Sequence, residues 1–452
     1  MNNQAGNNDL QVGISNRHIL SIALPITLAL LVPQVNFVTN NIFLSGLGET
    51  ALGTAGITGV CYLVFALIGN GLNSGVQSII SRRAGEQRPE EIGKVFGQSI
   101  RISLIFSAIC ILLVYLFGST VLRMVLVSPQ VEISTISFLQ IRIWGLPFLF
   151  LFLLGNALLV GTNNSSLLKF AFLIEALVNI FLDYTLIYGK LGFPEIGFNG
   201  AAYASIIAEA CGVLAIALII YYKRFHKRFQ LFLHLKFSAA YVRLIVKQSL
   251  PLVLQFLLSV VAWLIFYILI ENTGEHQLAI STTMRNIFGI FGVFAWAFAS
   301  TTNAMVSNII GQGKKDLVRQ LIKRIMVLSI VFTTALCLLL NIFPSIFLDL
   351  FGRGDQFTTD AIPVIRMVSA GVILMSLATV WLNAVTGTGN TKVNLLIEVI
   401  AISLYAIYVW LIIVYWKLSL TWAWSSELVY WSILLFLSVW YISSDKWRNK
   451  VI

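Results

Sequence analysis

The sequence predicts an all-α polytopic membrane protein, with about twelve transmembrane helices in two homologous six-helix bundles. Three observations predict it. The 452 residues are 58% hydrophobic and 11% charged, with a mean hydropathy of +0.87; a soluble chain carries about twice that charge. Apolar runs of roughly 18–30 residues alternate with short polar joints, the length needed to cross a bilayer as a helix. Landmarks of the first half also recur in the same order in the second.

The first apolar run, 19–44, follows "MNNQAGNNDLQVGISNRH". That start has no basic region, short apolar core or small-residue cleavage site, so the first helix is expected to remain as an anchor. Further spans are expected at 52–80, 95–118, 136–160, 167–189 and 200–222, and then at 245–270, 277–310, 320–343, 362–386, 393–415 and 420–442. Cys61, Cys110, Cys211 and Cys337 lie inside these runs in no CxxC or metal spacing. They read as packing residues.

The net charge of +11 gathers in "SRRAGEQRPEEIGK", "YYKRFHKRFQLFLHLKF", "GQGKKDLVRQLIKR" and "SSDKWRNK". With twelve spans, all four face the side of the N-terminus. The opposite loops "SGLGET", "ENTGEHQ" and "FGRGDQFTTD" are neutral to acidic. This bias places both termini in the cytoplasm; the expected location is the plasma (inner) membrane. It accounts for the charge through topology and contact with membrane lipid, not nucleic acid. The expected organisation is a cytoplasmic tail at 1–18, an N-lobe at 19–222, a basic linker at 223–244, a C-lobe at 245–442 and a cytoplasmic tail at 443–452. The joint is long enough for a surface-lying amphipathic helix.

The repeat is read from paired landmarks. Pro25 matches Pro251, and Gly48-Glu49 matches Gly274-Glu275, both at an offset of 251 − 25 = 226. Gln77 pairs with Asn303 and Gly85 with Gly311. Further on, Arg142 is set against Arg366, "GTNNSSLLK" against "GTGNTK", Glu175 against Glu398 and Glu209 against Glu427. Repeats separated by six spans share orientation, a plan common in secondary transporters with sites near the midplane.

Glu175, Asn179 and Asp183 stand four apart in the fifth span, forming a drifting stripe on one helix face. A charged carboxylate at bilayer depth costs on the order of 2.5–3.5 kcal/mol on insertion scales, so such groups face an interior, pair or carry a proton. Glu209 adds another acid on the sixth span, one turn after Ser205. In the second half, Arg285 needs a partner, for which Glu398 and Glu427 are the candidates. Arg142 and Arg366, read as beginning their helices, are expected to snorkel to an interface. Gln77 and Asn303 are candidates for a substrate cavity or for bonding between helices. Pro33 lies mid-way along the first helix, where a missing N–H favours a bend, so it is the conformational candidate. Trp263, Tyr267, Trp296 and Tyr405 offer faces to a flat or cationic substrate.

The sequence resembles the multidrug and toxic compound extrusion (MATE) transporters over nearly its whole length. The resemblance rests on "ALPI…LSGLGETALG", "GVQSIISRRAGE", "GNALLVGTNNSSL" and above all "LVNIFLDYTLIYGKLGFPEIGFNGAAYAS". It implies a V-shaped fold and a monomeric antiporter. Such an antiporter exports organic, cationic or amphiphilic solutes in exchange for H⁺ or Na⁺ by alternating access. In one branch of the family an N-lobe site uses an Asp on helix one, an Asn and an Asp on helix five and a hydroxyl on helix six. Asn179, Asp183 and Ser205 fit the last three places, whereas the first falls on Asn40. Losing that acid favours H⁺ over Na⁺. The C-lobe acids of other branches fall at Ser259 and near Met375, and are absent.

No cofactor is expected. No GxxxxGK[ST] motif is present, so nucleotide-driven export is not expected of this chain. The four histidines, His18, His226, His234 and His276, sit at helix ends or in loops. That disfavours an intramembrane enzyme. The lack of a pore-loop signature disfavours a channel. A flippase for lipid-linked oligosaccharides shares the fold but calls for a strongly cationic cavity, and the intramembrane charges here lean acidic.

Overall fold

The computed structural model describes residues 10–126, 128–233, 236–349, 355–450 and 452. Among the described residues, twelve helices are long and apolar enough to cross a membrane. The first six are α1 Asn16–Ser45, α2 Gly53–Gly85, α3 Pro89–Met124, α4 Pro129–Gly161, α5 Ser165–Tyr188 and α6 Phe198–Tyr222. The second six are α7 Ala239–Glu271, α8 Glu275–Gly311, α9 Lys315–Ile342, α10 Gln356–Thr388, α11 Thr391–Tyr415 and α12 Leu420–Ser443. The shortest have 24 residues, about 36 Å at 1.5 Å per residue, enough for a hydrocarbon core of about 30 Å. No strand occurs among the described residues.

Local chemistry fixes the ends. Pro89 and Pro129 open α3 and α4 in the first turn, where a missing N–H costs nothing. Gly48 (φ 104°) and Gly274 (φ 133°) occupy the same turn in the two halves, in backbone space that favours glycine. Along α9 the two faces separate cleanly. Ile325, Ser329, Thr333 and Cys337 are buried, while Val327, Val331, Leu338 and Ile342 are more than half exposed. Small and hydroxyl side chains let neighbouring helices approach, and branched apolar ones face lipid.

The chain forms two compact units, Leu28–Ser249 and residues 10–27 with Leu250–Ile452. These divisions differ from the lobes expected from sequence. The start of α1 belongs with the second unit because the segment before it is tied there. Asn308 of α8 accepts from the Val12 N–H (3.1 Å) and donates to the Leu10 carbonyl (2.8 Å), while Gln312 donates to the Val12 carbonyl (2.9 Å). The basic joint belongs with the first unit. Its expected amphipathic helix is a single turn, Phe225–Arg228, pinned by buried Phe225, Phe229 and Leu231. Gln98 of α3 donates to the Lys236 carbonyl at 2.8 Å. A Cβ on Gly93 would fall 2.0 Å from the Phe229 carbonyl oxygen, so only glycine admits this docking.

The duplication is visible in packing. In the first unit a Cβ on Gly161 of α4 would lie 2.7 Å from Ile80 Cγ2 and 3.4 Å from the Gln77 carbonyl of α2. In the second, one on Gly387 of α10 would lie 2.8 Å from the Asn303 carbonyl of α8. Both glycines and both amides keep the offset of 226 (387 − 161 and 303 − 77). Gln77 and Asn303 are fully buried at these approaches.

Candidate functional site

The first unit carries a cluster of polar side chains built on the α5–α6 hairpin. Gly189 ends α5 in the left-handed region (φ 63°), and the Ile196 N–H returns to the Leu186 carbonyl at 2.8 Å. A Cβ on Gly200 would come within 2.8 Å of the Leu186 carbonyl. The two helices therefore approach backbone to backbone, which brings Asn179 Nδ2 to 3.5 Å from Ser205 Oγ. One turn along, Asp183 is fully buried. With its amide nitrogen turned toward the carboxylate, as the surrounding acceptors require, Asn40 of α1 donates to both Asp183 oxygens at 3.1 and 2.5 Å. Asn40, Asn179, Asp183 and Ser205 thus form one cluster from three helices.

A second cluster lies along the same faces. Arg142 of α4 makes a two-pronged ion pair with Glu209 of α6, Nη1 to Oε2 at 2.9 Å and Nη2 to Oε1 at 2.5 Å. Tyr62 of α2 donates to Glu209 Oε1 at 3.4 Å, and its ring lies 3.8 Å from the guanidinium carbon. Arg142 is also within electrostatic reach of Glu175 and Asp183. Gly145 makes room for the pair: a Cβ there would fall 2.3 Å from Arg142 Nη1 and 2.7 Å from Glu209 Oε2. The expectation that Arg142 snorkels is therefore corrected. It lies thirteen residues into the α4 span (142 − 129 = 13) and is buried. Its pairing with Arg366 is corrected too. Gly145 and Gly371 both face the repeated glutamate, so the offset of 226 sets Val368, not exposed Arg366, opposite Arg142.

The second unit places its acids differently. Glu398 of α11 accepts from Gln255 (3.2 Å) and Ser259 (2.8 Å) of α7 and from the Tyr430 hydroxyl of α12. Glu427 of α12 accepts from Trp431 Nε1 at 2.9 Å. Neither is the partner expected for Arg285, which forms no ion pair among the described residues and whose guanidinium carbon stands 5.8 Å from the centroid of the Tyr267 ring. Arg285 is exposed on α8, so it lies outside the buried network that satisfies both acids. Trp263 and Tyr267 stack at 5.9 Å and join Tyr405 and Trp424 in the apolar core, whereas Trp296 is partly exposed. Pro33 lies exposed within α1. No group of three His, Cys, Asp or Glu side chains among the described residues is placed to hold a metal.

The MatE family model matches residues 25–185 and again 251–411. The chain belongs to the MatE family. Both matches open on a proline, and their starts differ by the offset of the repeat (251 − 25 = 226). One relative extends along nearly the whole chain. A probable multidrug resistance protein NorM of Thermotoga maritima is 22% identical over 448 residues, covering 96% of this chain and 94% of its own. The probable multidrug resistance protein YoeA of Bacillus subtilis is 20% identical over 62% of this chain and 61% of its own. Among solved structures, a MOP-superfamily transporter from Pyrococcus furiosus aligns over all of both chains at 19% identity and a TM-score of 0.91. A MATE in complex with MaL6 aligns over 98% of this chain and 99% of its own, at 20% identity and a TM-score of 0.89. These likenesses establish a multi-pass MatE transporter fold made of two repeats.

Proposed function

We propose that this MatE protein is a secondary active antiporter of the inner membrane, with both termini cytoplasmic. It exports organic cations or amphiphiles by alternating access in exchange for a monovalent cation, favouring H⁺. Asp183 carries the coupling. One observation carries this reading: a fully buried carboxylate in a spanning unit is held at both oxygens by an amide, that of Asn40. An amide both donates and accepts, so rotating it by half a turn serves the protonated acid as well as the ionised one. Proton binding at Asp183 can then be read by α1 without leaving a buried group unpaired. Asn179 stands one turn before the same acid on α5 and lies 3.5 Å from Ser205 Oγ of α6. The relatives' names, which speak of multidrug resistance, and the surplus of buried acids favour a cationic cargo.

The test is uptake of a fluorescent organic cation into proteoliposomes under imposed H⁺ or Na⁺ gradients. Wild type is expected to accumulate dye with the H⁺ gradient and Asp183→Asn to fall to the level of empty vesicles. Equal accumulation by the two proteins would remove Asp183 from the coupling. Drive by Na⁺ alone would replace H⁺ as the ion.

A further inference from the structure

The second repeat keeps both acids of the Arg142 cluster and has lost their cation. Gly145 and Gly371 fix the correspondence, since the first approaches Glu209 and the second stands 3.3 Å, measured from an added Cβ, from Glu427 Cβ. At the offset of 226, Arg142 becomes Val368 and Tyr62 becomes Phe288, both in the apolar core of the second unit. Glu175 and Glu209 survive as Glu398 and Glu427, each at least 97% buried. What was an arginine shared between acids is a pair of acids among neutral groups.

We propose that Glu398 and Glu427 form a second proton-holding site, confined to the second unit and separate from Asp183. Their surroundings supply donors but no counter-charge. From α7, Gln255 and Ser259 donate to Glu398, and Tyr267 lies within electrostatic range of Glu427. From α11, Tyr405 lies within electrostatic range of Glu427 and packs on the Tyr430 ring at 5.8 Å between centroids. From α12, Tyr430 and Trp431 donate to Glu398 and Glu427 respectively. The two rings touch at 4.7 Å between centroids, so adjacent residues of one helix bridge the acids. Arg285 of α8, the cation facing Tyr267, is exposed and pairs with neither acid. One turn before Glu398, the buried Asn394 Oδ1 has no donor. Buried carboxylates without a cation are costlier than neutral acids, and a proton is the smallest occupant that removes the charge. The site needs no room for a larger ligand.

Infrared spectroscopy of the purified full chain in nanodiscs, titrated with pH, reads protonated carboxyl groups directly. In an Asp183→Asn background, which removes the proposed coupling acid, a protonated-carboxyl band is expected to persist at neutral pH. It should weaken in Glu427→Gln or Glu398→Gln and lose both contributions in the double variant. A band that neither substitution changes would overturn the proposal. Should the glutamine variants fail to fold, Val368→Arg with Phe288→Tyr restores the first unit's arrangement and should remove the band. Its survival in that folded protein would equally overturn the proposal. Transport lost in Asp183→Asn while the band remains would separate the two sites; transport retained in Asp183→Asn would sink the Asp183 assignment and leave this site to its own test.

Discussion

Arg142 and Glu209 meet face to face inside the first unit, with both guanidinium Nη atoms on both carboxylate oxygens and the Tyr62 ring stacked over the cation. Removing one partner leaves an uncompensated charge in a buried place, which costs about 3–5 kcal/mol. Arg142→Leu should therefore lower the apparent melting temperature in detergent sharply. Arg142→Leu with Glu209→Leu should recover most of the loss, because neither charge then remains to be buried. A double variant no more stable than the worse single would show that packing, not charge, holds these helices.

Gly145 and Gly371 occupy the same place in the two repeats but tolerate a methyl group differently. At Gly145 it would meet Arg142 and Glu209 at 2.3 and 2.7 Å, and at Gly371 it would meet Glu427 Cβ at 3.3 Å. Gly145→Ala is expected to destabilise by about 1–3 kcal/mol through overpacking. Gly371→Ala lies inside α10 and gains about 1 kcal/mol of helix propensity, which offsets its milder contact. Thermal unfolding of the two variants side by side reads the difference. Equal melting temperatures would remove the argument that Gly145 makes room for the ion pair.

The fold was legible because bilayer thickness acts on each segment alone. Twelve apolar runs in the sequence became twelve spanning helices. The Asn179–Asp183 face was legible for a similar reason, since four-residue spacing places both on one side of α5. Arg142–Glu209 was not, because no periodicity within α4 or α6 says that positions 67 apart will touch. Matching like with like also misled the repeat by two residues: Arg366 looks like Arg142, yet the glycine contacts put Val368 there. The counter-ion lost from the second repeat becomes visible only once packing sets the alignment. The unit boundaries escaped for another reason. Tails and joints choose their unit through bonds from side-chain amides to their backbone, such as those of Asn308 and Gln98, which hydropathy does not register.

Asn40 holds Asp183 through both carboxylate oxygens. Hydrogen bonds to a charged group contribute about 1.5–3 kcal/mol, equivalent to roughly tenfold or more in an equilibrium. Asn40→Leu should therefore lower H⁺-driven dye uptake by roughly tenfold while the melting temperature stays within a few degrees of wild type. Asn40→Gln keeps the amide on a longer stem and should restore part of the uptake. Normal uptake by Asn40→Leu would mean that α1 does not read the state of Asp183.

The basic joint is held to the first unit through a gap that only glycine leaves open. Gly93 of α3 lies under the Phe229 carbonyl, where an added Cβ would stand 2.0 Å from the oxygen, and backbone atoms cannot give way as a flexible side-chain end can. Gly93→Ala must therefore lift the joint, breaking the burial of Phe229 and straining the bonds that Gln98 makes to Lys236 and Ser238. The joint carries Lys223, Arg224, Lys227 and Arg228, so trypsin reports its release directly. Gly93→Ala in nanodiscs should be cut into two halves markedly faster than wild type. Gly59→Ala, where an added Cβ meets nothing within 4 Å, should be cut at the wild-type rate. Equal rates for all three proteins would mean that the joint is accessible whether or not Gly93 seats it, and that its buried phenylalanines do not restrain it.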